Sequence, residues 1–407
     1  MERLMRTLLA PSVHWVGVKD PELAIFDIVV PTEHGTTYNS YLIQGSEKCA
    51  LIDTSKANFS KEYFTHLEKH LPLQKIDYIV VQHTEPDHAG CLREFLERHP
   101  EVTLIHSKPC KRFIQTLTNL PFNSMAIESG DELDLGGKTL RFFSTPFLHW
   151  PDTMMSYLVE DKILFSCDVM GSHFTSETNP EIFNSLLDEK DYLASIEAFK
   201  YYYAMIMRPY KEHIIKAFEL LEKLDVQMIA PSHGPILDME PRFFFDWYRA
   251  RAKNYLLRLN GQKVTIIYAS AYGNTAKMME SVKAGLLDAG VEVAVFDASS
   301  SAMAEMIDSI ELSTGILLGT STINAKAPEP ILHLIANLVV LSMNGRKAGV
   351  FGSFGWSGEG IAMTERICEV MKMKIVQEPY KVQMAPSSAQ LEEGREWGYN
   401  FGLKIIE

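Results

Sequence analysis

Four side chains that commonly bind metals, His83, Glu85, Asp87 and His88, occur within six residues of this chain. They follow the apolar run of residues 76–81, which predicts a buried strand, so they are expected where that strand ends. Alternate side chains of an extended segment share one side, which would group the first three and let His88 join them at the turn. The pattern predicts two metal sites, His83 with Glu85 and Asp87 with His88. The alternative is a polar loop in which Asp87 caps a helix and the histidines lie at the surface.

Three further candidates, His149, Asp168 and His233, each come after an apolar run that predicts a strand. Together with the first group they supply four imidazoles and three carboxylates, which is enough for two metals if Asp168 bridges them. Nitrogen-rich, four-coordinate sites suit Zn²⁺ and hydrolysis, whereas mixed imidazole and carboxylate sites with open positions suit iron. We therefore expect a redox role rather than a hydrolytic one.

A second candidate site lies where the strand predicted over residues 263–269 runs into a helix. The segment supplies small and hydroxylated residues at the start of that helix: Ser270, Tyr272, Gly273, Asn274 and Thr275. Backbone N–H groups at a helix N-terminus bind phosphate, helped by the helix dipole. The loop lacks the lysine of a nucleoside triphosphate site and the glycine pattern of a dinucleotide site, so it predicts a mononucleotide phosphate. An ordinary capped helix is the alternative.

Two later strand ends strengthen this interpretation, because ligands of parallel sheets lie at the carboxyl edge, where several loops converge. Their glycines allow close approach to a flat ring, their polar side chains offer hydrogen bonds, and Trp356 could stack on the ring. The residues concerned are Thr320, Ser321, Thr322, Asn324, Ser353, Phe354, Gly355, Trp356 and Gly358. Flavin mononucleotide (FMN) is the expected occupant.

The elements that position these residues change in rhythm along the chain. Short β-type runs as far as about residue 168 predict a β-rich sandwich with helices, whereas five strands alternating with five helices after residue 261 predict a doubly wound parallel sheet. A length of 407 residues favours two domains, and the charged and Asn-Gly-containing segment before residue 262 predicts a boundary between domains 1–258 and 259–407.

Composition excludes several classes of protein. The net charge of −13 without a basic patch argues against nucleic acid, and no run of 18 apolar residues predicts a membrane span. The five cysteines include no close pair, so a disulfide framework is unexpected and a reducing cytoplasm is favoured. The lack of a Cys-x-x-Cys pair also predicts that no rubredoxin module is attached.

The metal-binding constellation resembles the metallo-β-lactamase fold, in which Glu85 stands where its binuclear hydrolases carry a histidine. Over essentially its whole length the chain resembles the flavodiiron protein family, or A-type flavoproteins. The motifs that carry this resemblance are Gly35-Thr36-Thr37-Tyr38-Asn39, His83-x-Glu85-x-Asp87-His88, Leu148-His149-Trp150-Pro151-Asp152, Asp168, Ser232-His233-Gly234 and Gly352-Ser353-Phe354-Gly355-Trp356-Ser357-Gly358. The resemblance implies an N-terminal metallo-β-lactamase-like αββα sandwich with a non-haem diiron centre, followed by a C-terminal flavodoxin-like domain with FMN.

The resemblance also implies roles for the residues. One iron would be held by His83, Glu85 and His149, and the other by Asp87, His88 and His233, with Asp168 bridging. The family reduces dioxygen to water or nitric oxide to nitrous oxide with electrons that pass through FMN. A separate donor is expected, such as rubredoxin, a flavoprotein reductase or a reduced cofactor. Head-to-tail dimers, alone or as dimers of dimers, would place the FMN of one subunit near the irons of the other.

Some residues near the expected gas pocket depart from the family pattern or stay open in role. Several relatives have a histidine before the Gly-Thr-Thr-Tyr-Asn motif, where this chain offers Asp27 and Ile28, with His34 displaced. Tyr272 stands where many flavodoxin-like loops carry threonine.

His173 is interpreted as a polar loop residue, and Cys167 as a small buried one. Tyr202 or Tyr203 could face the pocket or pack in the core. The alternative functions are a binuclear zinc hydrolase with an appended flavodoxin-like module, and an electron carrier with a structural metal domain.

Overall fold

The structure, a computed structural model, describes residues 5–176, 178–259 and 261–407. It consists of two compact units, Met1–Ala252 and Lys253–Glu407. This division falls a few residues before the boundary predicted between residues 258 and 259. The difference arises because the helix Asn254–Leu259 packs within the second unit, against the helix Met303–Leu312.

Two sheets form the centre of the first unit. The larger has the strand order β1-β2-β7-β8-β9-β10-β11, the smaller the order β12-β13-β14-β15-β16, and two short pairs, β3-β6 and β4-β5, complete the unit. Its strands are β1 Leu8–Ala10, β2 Val13–Trp15, β3 Val18–Asp20, β4 Ile25–Phe26, β5 Val30–Pro31, β6 Thr36–Tyr38, β7 Tyr41–Gln44, β8 Cys49–Ile52, β9 Tyr78–Val81, β10 Thr103–Ser107, β11 Asn123–Ile127, β12 Glu132–Asp134, β13 Thr139–Ser144, β14 Met154–Leu158, β15 Ile163–Cys167 and β16 Met228–Pro231. β8 to β11 are parallel to one another, so their carboxyl ends share one edge of the larger sheet. β15 and β16 are also parallel, so their carboxyl ends share one edge of the smaller sheet.

Helices cover the outer face of each sheet. They are α1 Ser60–Glu68, α2 Pro86–Ala89, α3 Leu92–Arg98, α4 Cys110–Thr118, α5 Glu189–Tyr202, α6 Lys211–Leu221 and α7 Pro241–Ala252, with 3₁₀ turns at Ala57–Phe59, Leu73–Lys75, Asn184–Leu186 and Arg208–Tyr210 and a π-helical segment Tyr203–Met207. Phe142 and Phe165 pack between the sheets. Phe95 of α3, Phe199 of α5 and Phe218 of α6 are buried on the inner faces of their helices. Each fully buried phenylalanine contributes about 2 kcal/mol of hydrophobic stabilisation. This is the αββα sandwich that the resemblance implied.

The second unit is a parallel sheet of strand order β18-β17-β19-β20, continued by β21 and β22, which both pair with β20. Its elements are α8 Asn254–Leu259, β17 Lys263–Tyr268, α9 Asn274–Asp288, β18 Glu292–Asp297, α10 Met303–Leu312, β19 Gly315–Gly319, α11 Glu329–Asn337, a 3₁₀ turn Leu338–Val340, β20 Lys347–Phe354, α12 Glu359–Val370, β21 Lys374–Ile375, β22 Tyr380–Gln383 and α13 Ser388–Ile406. The order is that of flavodoxin-like sheets, as expected. The fifth strand, predicted as one piece over residues 375–381, is divided into β21 and β22: the pairing passes from Ala348 opposite Ile375 to Phe351 opposite Tyr380, and Pro379 in the gap has no N–H for the ladder.

Helices α9 and α13 pack closely on one face of this sheet. A Cβ atom on Gly285 would lie 1.8 Å from the carbonyl oxygen of Arg395, and one on Gly398 would lie 2.1 Å from that of Val282. Only glycine permits this approach, which lets Phe401 of α13 pack into the core of the unit. Neither α13 nor any other helix in the described part of the chain is long and apolar enough to cross a membrane.

Candidate metal centre and flavin site

The seven predicted metal-binding side chains come together at one edge of the first unit. His83 and Glu85 lie between β9 and α2, and His149 lies in the loop between β13 and β14, while Asp168 and His233 follow β15 and β16. Asp87 and His88 belong to the helical turn α2, so the alternation expected of an extended segment stops at Glu85. Helical geometry, rather than strand alternation, brings Asp87 to the cluster.

One half of the cluster contains His83, His149 and Glu85. The Nε2 atoms of the two histidines lie 3.1 and 3.0 Å from Oε2 of Glu85. The same two nitrogens lie 3.7 and 3.8 Å from Oδ2 of Asp168. Both imidazole nitrogens therefore lie within 4 Å of the same two carboxylate oxygens.

The other half contains His88, His233 and Asp87. The Nε2 atoms of the two histidines lie 3.2 and 3.5 Å from Oδ1 of Asp168. They also lie 3.4 and 3.2 Å from Oδ1 and Oδ2 of Asp87, respectively. The carboxylate of Asp168 therefore presents one oxygen to each half.

These distances fit two bound metal ions. Atoms bound to one ion at about 2.1 Å are separated from one another by about 3.0–3.5 Å. In the described part of the chain, both oxygens of Asp87 and the Nε2 atoms of His88 and His233 are buried without a hydrogen-bond partner. Buried polar atoms are rarely left unpaired, so this donor set is suited to metals.

The pKa values of the side chains in the metal cluster depend on the contacts among them. Burial alone would raise the pKa of Glu85, but hydrogen bonds from His149 and His83 outweigh burial and lower it. The pKa of Asp168 is held well below its usual range, because the charge of His88 outweighs the effect of burial. Burial lowers the pKa of His83, whereas hydrogen bonds to Asp152 and Glu85 raise it, to about 9 overall. Without metal, His83 and His88 would hold protons that metal binding would displace.

Asp152 supports His83 from behind. Its Oδ1 lies 3.4 Å from Nδ1 of His83, while its Oδ2 accepts hydrogen bonds from the Thr84 backbone N–H at 2.9 Å and the Thr84 hydroxyl at 2.5 Å. A carboxylate at Nδ1 turns Nε2 of the ring toward the metal side. Asp152 belongs to the sequence motif that contains His149, but its role depends on a contact with His83, which lies far away in the sequence.

The loop that carries His233 is held by the Gly-Thr-Thr-Tyr-Asn motif. The Nδ1–H of His233 donates to the carbonyl oxygen of Thr37 at 2.7 Å, which leaves Nε2 free for a metal. The side-chain amide of Asn39 donates to the carbonyl oxygens of Pro231 and Gly234 at 2.8 and 3.0 Å. The sequence alone assigned no role to this motif. The structure shows that it positions His233, one of the predicted metal ligands.

Tyr202, rather than Tyr203, reaches the cluster. Its hydroxyl donates to Oδ1 of Asp168 at 3.2 Å, whereas Tyr203 packs in the hydrophobic core. His173, interpreted as a polar loop residue, is instead 97% buried against His233, with 5.7 Å between ring centroids, because the loop after β15 folds inward. Burial and the nearby charge of His233 lower the pKa of His173 to about 3. Cys167 is buried, as predicted.

The segment that replaces the family's histidine forms the hairpin of β4 and β5. Asp27 shares a hydrogen bond with Glu85, and its pKa is raised to about 6 by burial and by the charge of that carboxylate. Ile28 and Val29 at the tip are 93% and 63% exposed. His34 lies beyond the hairpin, where its ring packs against Phe174.

The predicted flavin loops of the second unit enclose a cavity of about 210 Å³. Seven of the predicted residues line it, together with Ala271, Ile323 and Met384; the seven are Tyr272, Asn274, Ser321, Thr322, Ser353, Phe354 and Gly355. Met384 lies after β22, and sequence reasoning missed it because only the fold brings this segment to the other loops. The cavity suits the polar end of a mononucleotide, since α9 begins at its wall and the buried hydroxyl of Ser321 has no hydrogen-bond partner in the described residues.

The remaining predicted flavin residues mostly shape these loops. The Thr275 and Ser353 hydroxyls lie 2.9 Å apart, and the Ser270 hydroxyl accepts from the Ala276 backbone N–H at 3.2 Å. Gly273 has φ +80°, which favours glycine at this turn. Thr320, Asn324 and Gly358, like Ser270, Gly273 and Thr275, do not line the cavity.

Trp356 does not line the cavity either and is 90% exposed, so its stacking on a ring stays a prediction.

Comparison with known proteins gives a consistent result for both units. Residues 36–234 match the family model described as ODP family beta lactamase, and residues 266–398 match that described as Flavodoxin. The chain is 38% identical over 396 residues to the type A flavoprotein fprA of Rhodobacter capsulatus, which covers 96% of this chain and 89% of that protein. It is 36% identical to the flavo-diiron protein FprA2 of Clostridium acetobutylicum, over 97% of this chain and 98% of that one.

A solved structure, the rubredoxin oxygen:oxidoreductase of Desulfovibrio gigas, superimposes with a TM-score of 0.69 at 27% identity, over 98% of both chains. The anaerobic nitric oxide reductase flavorubredoxin of Salmonella paratyphi B is 35% identical over 88% of this chain and 74% of its own length. These similarities extend across both units.

Proposed function

Because this chain belongs to the flavodiiron family of type A flavoproteins, we propose that it reduces dioxygen to water, nitric oxide to nitrous oxide, or both. Electrons would pass from an external donor through FMN to two irons. The observation that carries this proposal is the division of the Asp168 carboxylate, whose two oxygens face separate groups of imidazole and carboxylate ligands. Relatives are named for both gases, so both are proposed.

Bound irons would supply the reversible change of oxidation state that gas reduction requires. In this chain His83, Glu85 and His149 would hold one iron, and Asp87, His88 and His233 the other. The Tyr202 hydroxyl holds Oδ1 of Asp168 in place, and Asp27, whose pKa of about 6 lets it take up and release a proton near neutral pH, lies beside Glu85. These groups orient the bridge and keep a proton source next to the site.

We propose that the electrons reach this site from the FMN of a second copy, in a head-to-tail dimer. Two exposed apolar sets support this pairing. Near the metal cluster, Ile28 and Phe147 are 93% and 44% exposed, and near the flavin cavity Trp356 and Met384 are 90% and 64% exposed. Large exposed apolar side chains beside functional sites mark contact surfaces. All five cysteines are free thiols, which supports a reducing compartment such as the cytoplasm.

The decisive measurement is the cofactor content of the purified protein together with its reaction with each gas. We expect two irons and one FMN per chain, and rapid oxidation of the anaerobically reduced protein by dioxygen or nitric oxide in stopped flow. Zinc without flavin would favour the hydrolase alternative and overturn the proposal. The donor is expected to be a separate rubredoxin, flavoprotein reductase or reduced cofactor, identified by which one reduces the FMN.

Mixed dimers test the route of the electrons. One chain would carry Asp168→Asn, which disables the metal site, and the other Gly273→Val, which weakens the flavin site. If electrons cross between subunits, the mixed dimer consumes gas faster than either variant does alone at the same FMN concentration. If electrons stay within a chain, mixing restores nothing.

A further inference from the structure

A cavity of about 490 Å³ lies within the first unit, apart from the exposed side of the metal cluster. Helix α5 forms one wall with Ala194, Ala198 and Tyr201, and the segment containing His34 forms the opposite wall. Its inner end is the ring of His173. The two alanines are one turn apart on α5, and their small side chains keep this wall open.

His173 is the partition between this cavity and the metal cluster. Its ring centroid lies 4.4 Å from that of Phe26, 4.8 Å from that of Tyr202 and 5.7 Å from that of His233. The residue is 3% exposed, and in the described part of the chain neither ring nitrogen has a hydrogen-bond partner. The ring is therefore held by packing against these three rings and not by hydrogen bonds, and a small molecule in the cavity would meet it directly.

The same helix links the cavity to the bridging ligand. Tyr201 lines the cavity, and the next residue, Tyr202, donates its hydroxyl to Asp168. The cluster is otherwise least buried at Glu85, Asp87 and His149, whose side chains are 9%, 7% and 12% exposed. If the flavin unit of a second copy covers that side, as proposed above, substrate needs another way in.

We propose that this cavity is the entry route by which the uncharged diatomic substrate reaches the metal cluster, past the ring of His173. The inference rests on the proposed function, because it assigns a path to the gas substrate. Small apolar gases occupy protein cavities without needing polar partners, and the alanines and the Tyr201 ring provide apolar surface beside the polar lining residues Thr32, Glu33, His34 and Glu197. A bulky side chain on α5 should therefore close the route without touching a metal ligand.

The test is Ala198→Trp, with Leu193→Trp as the matched control. Leu193 lies on the same helix and is 58% exposed, so the control adds a similar side chain away from the cavity. The anaerobically reduced holoenzyme of each variant is mixed with dioxygen or nitric oxide in stopped flow. We expect the second-order rate of oxidation to fall about tenfold or more in Ala198→Trp alone. Iron content, FMN content and the rate of flavin reduction by the donor should stay unchanged.

Xenon pressurisation of crystals gives a readout besides activity. Xenon is expected in the cavity of the wild-type protein and absent from Ala198→Trp. If Ala198→Trp fails to fold, Ala194→Phe, one turn earlier on α5, serves as the filling variant. Wild-type oxidation that is fast and unchanged in a cofactor-loaded filling variant would overturn the entry route alone. A wild-type holoenzyme that neither gas oxidises would overturn the proposed function, and the entry route with it.

Discussion

The metal cluster and the flavin cavity solve the problem of binding a cofactor in opposite ways. The seven side chains of the metal cluster lie at one edge of the αββα sandwich, and none is more than about a tenth exposed. The flavin cavity is lined by neutral residues on loops, with a helix N-terminus and small hydroxyl groups as its polar features. Side-chain atoms define the first site, and backbone geometry defines most of the second.

This difference predicts how each site responds to change. When a metal ligand is substituted, a neighbouring side chain cannot take over its role, because the ion requires a donor atom at that particular position. A phosphate-binding loop depends on backbone N–H groups, which most side-chain substitutions leave in place. Damage to the cluster should therefore be severe and confined to single residues, whereas the flavin loops should respond mainly to changes in backbone conformation.

The largest expected effect follows loss of the bridge. Asp168→Asn removes the charged oxygen that one half of the cluster requires, so iron should fall from two per chain to less than one. Gas consumption should fall by about 100-fold or more, while FMN content stays unchanged. Metal analysis and stopped-flow oxidation measure both. The control is Asp225→Asn, an exposed carboxylate paired with Lys162. Full iron and normal turnover in Asp168→Asn would contradict the bridging role.

A smaller effect is expected behind the cluster. Asp152→Asn weakens the contact that orients His83, and metal affinity should fall about 10- to 100-fold. Competition with a chelator measures the affinity. Asp161→Asn is the matched control, because Asp161 is a partly buried carboxylate that pairs with Lys138 at 2.5 Å. Equal losses in the two variants would show general destabilisation rather than positioning of His83.

FMN affinity is expected to depend on the backbone conformation at the start of α9. Gly273→Val forces a β-branched residue into φ +80° where α9 begins, which costs about 1–2 kcal/mol and disturbs the N–H groups there. FMN affinity, measured by titration of the apoprotein, should fall about tenfold, while iron content is unchanged. Gly290→Val carries similar strain at φ +82°, beyond the other end of α9. An equal loss of FMN affinity in Gly290→Val would show that the strain, and not its location, matters.

The smallest effect should appear in the metal-free protein as pH rises. The pKa of His83 is raised to about 9 in the folded state, against about 6.5 in the unfolded chain. Between these values the folded state binds the extra proton, so the first unit should lose stability as pH rises through this range. Burial raises the pKa of Asp53 to about 7, which acts in the same direction but at lower pH, between about pH 4 and 7.

Hydrogen exchange followed by mass spectrometry can report this loss separately for each unit. The protein loaded with metal is the comparison, because metal binding requires deprotonated imidazoles and should reverse the dependence on pH. Stability of the metal-free first unit that increases from pH 6.5 to 9 would contradict the proton-binding role of His83.

Sequence reasoning located residues at strand ends more readily than the contacts between them. Asp168 and His233 follow the parallel neighbours β15 and β16, whose carboxyl ends share an edge, and each could be singled out from the pattern as a polar residue at a strand end. The support from Asp152, Tyr202 and Thr37 could not be predicted, because each contact joins segments that only the packed sheets bring together.

Local conformation was the other source of error. The proline after Glu85 begins a helical turn, which placed Asp87 on α2 instead of in an extended segment. A second proline, Pro379, divided the last strand of the flavodoxin-like sheet. In both cases the fold of the unit was as predicted, and the local structure around a proline differed from the expectation.

The close crossing of α9 and α13 has a consequence for biosynthesis. The sandwich contains all its strands by residue 231 and can fold as the chain leaves the ribosome, since domains generally fold as units from the N-terminus. The start of α9, where the phosphate site is predicted, instead belongs to a unit whose core includes Phe401 of α13. The first unit can therefore fold before α13 is synthesised, whereas the predicted flavin site cannot be completed until α13 has left the ribosome.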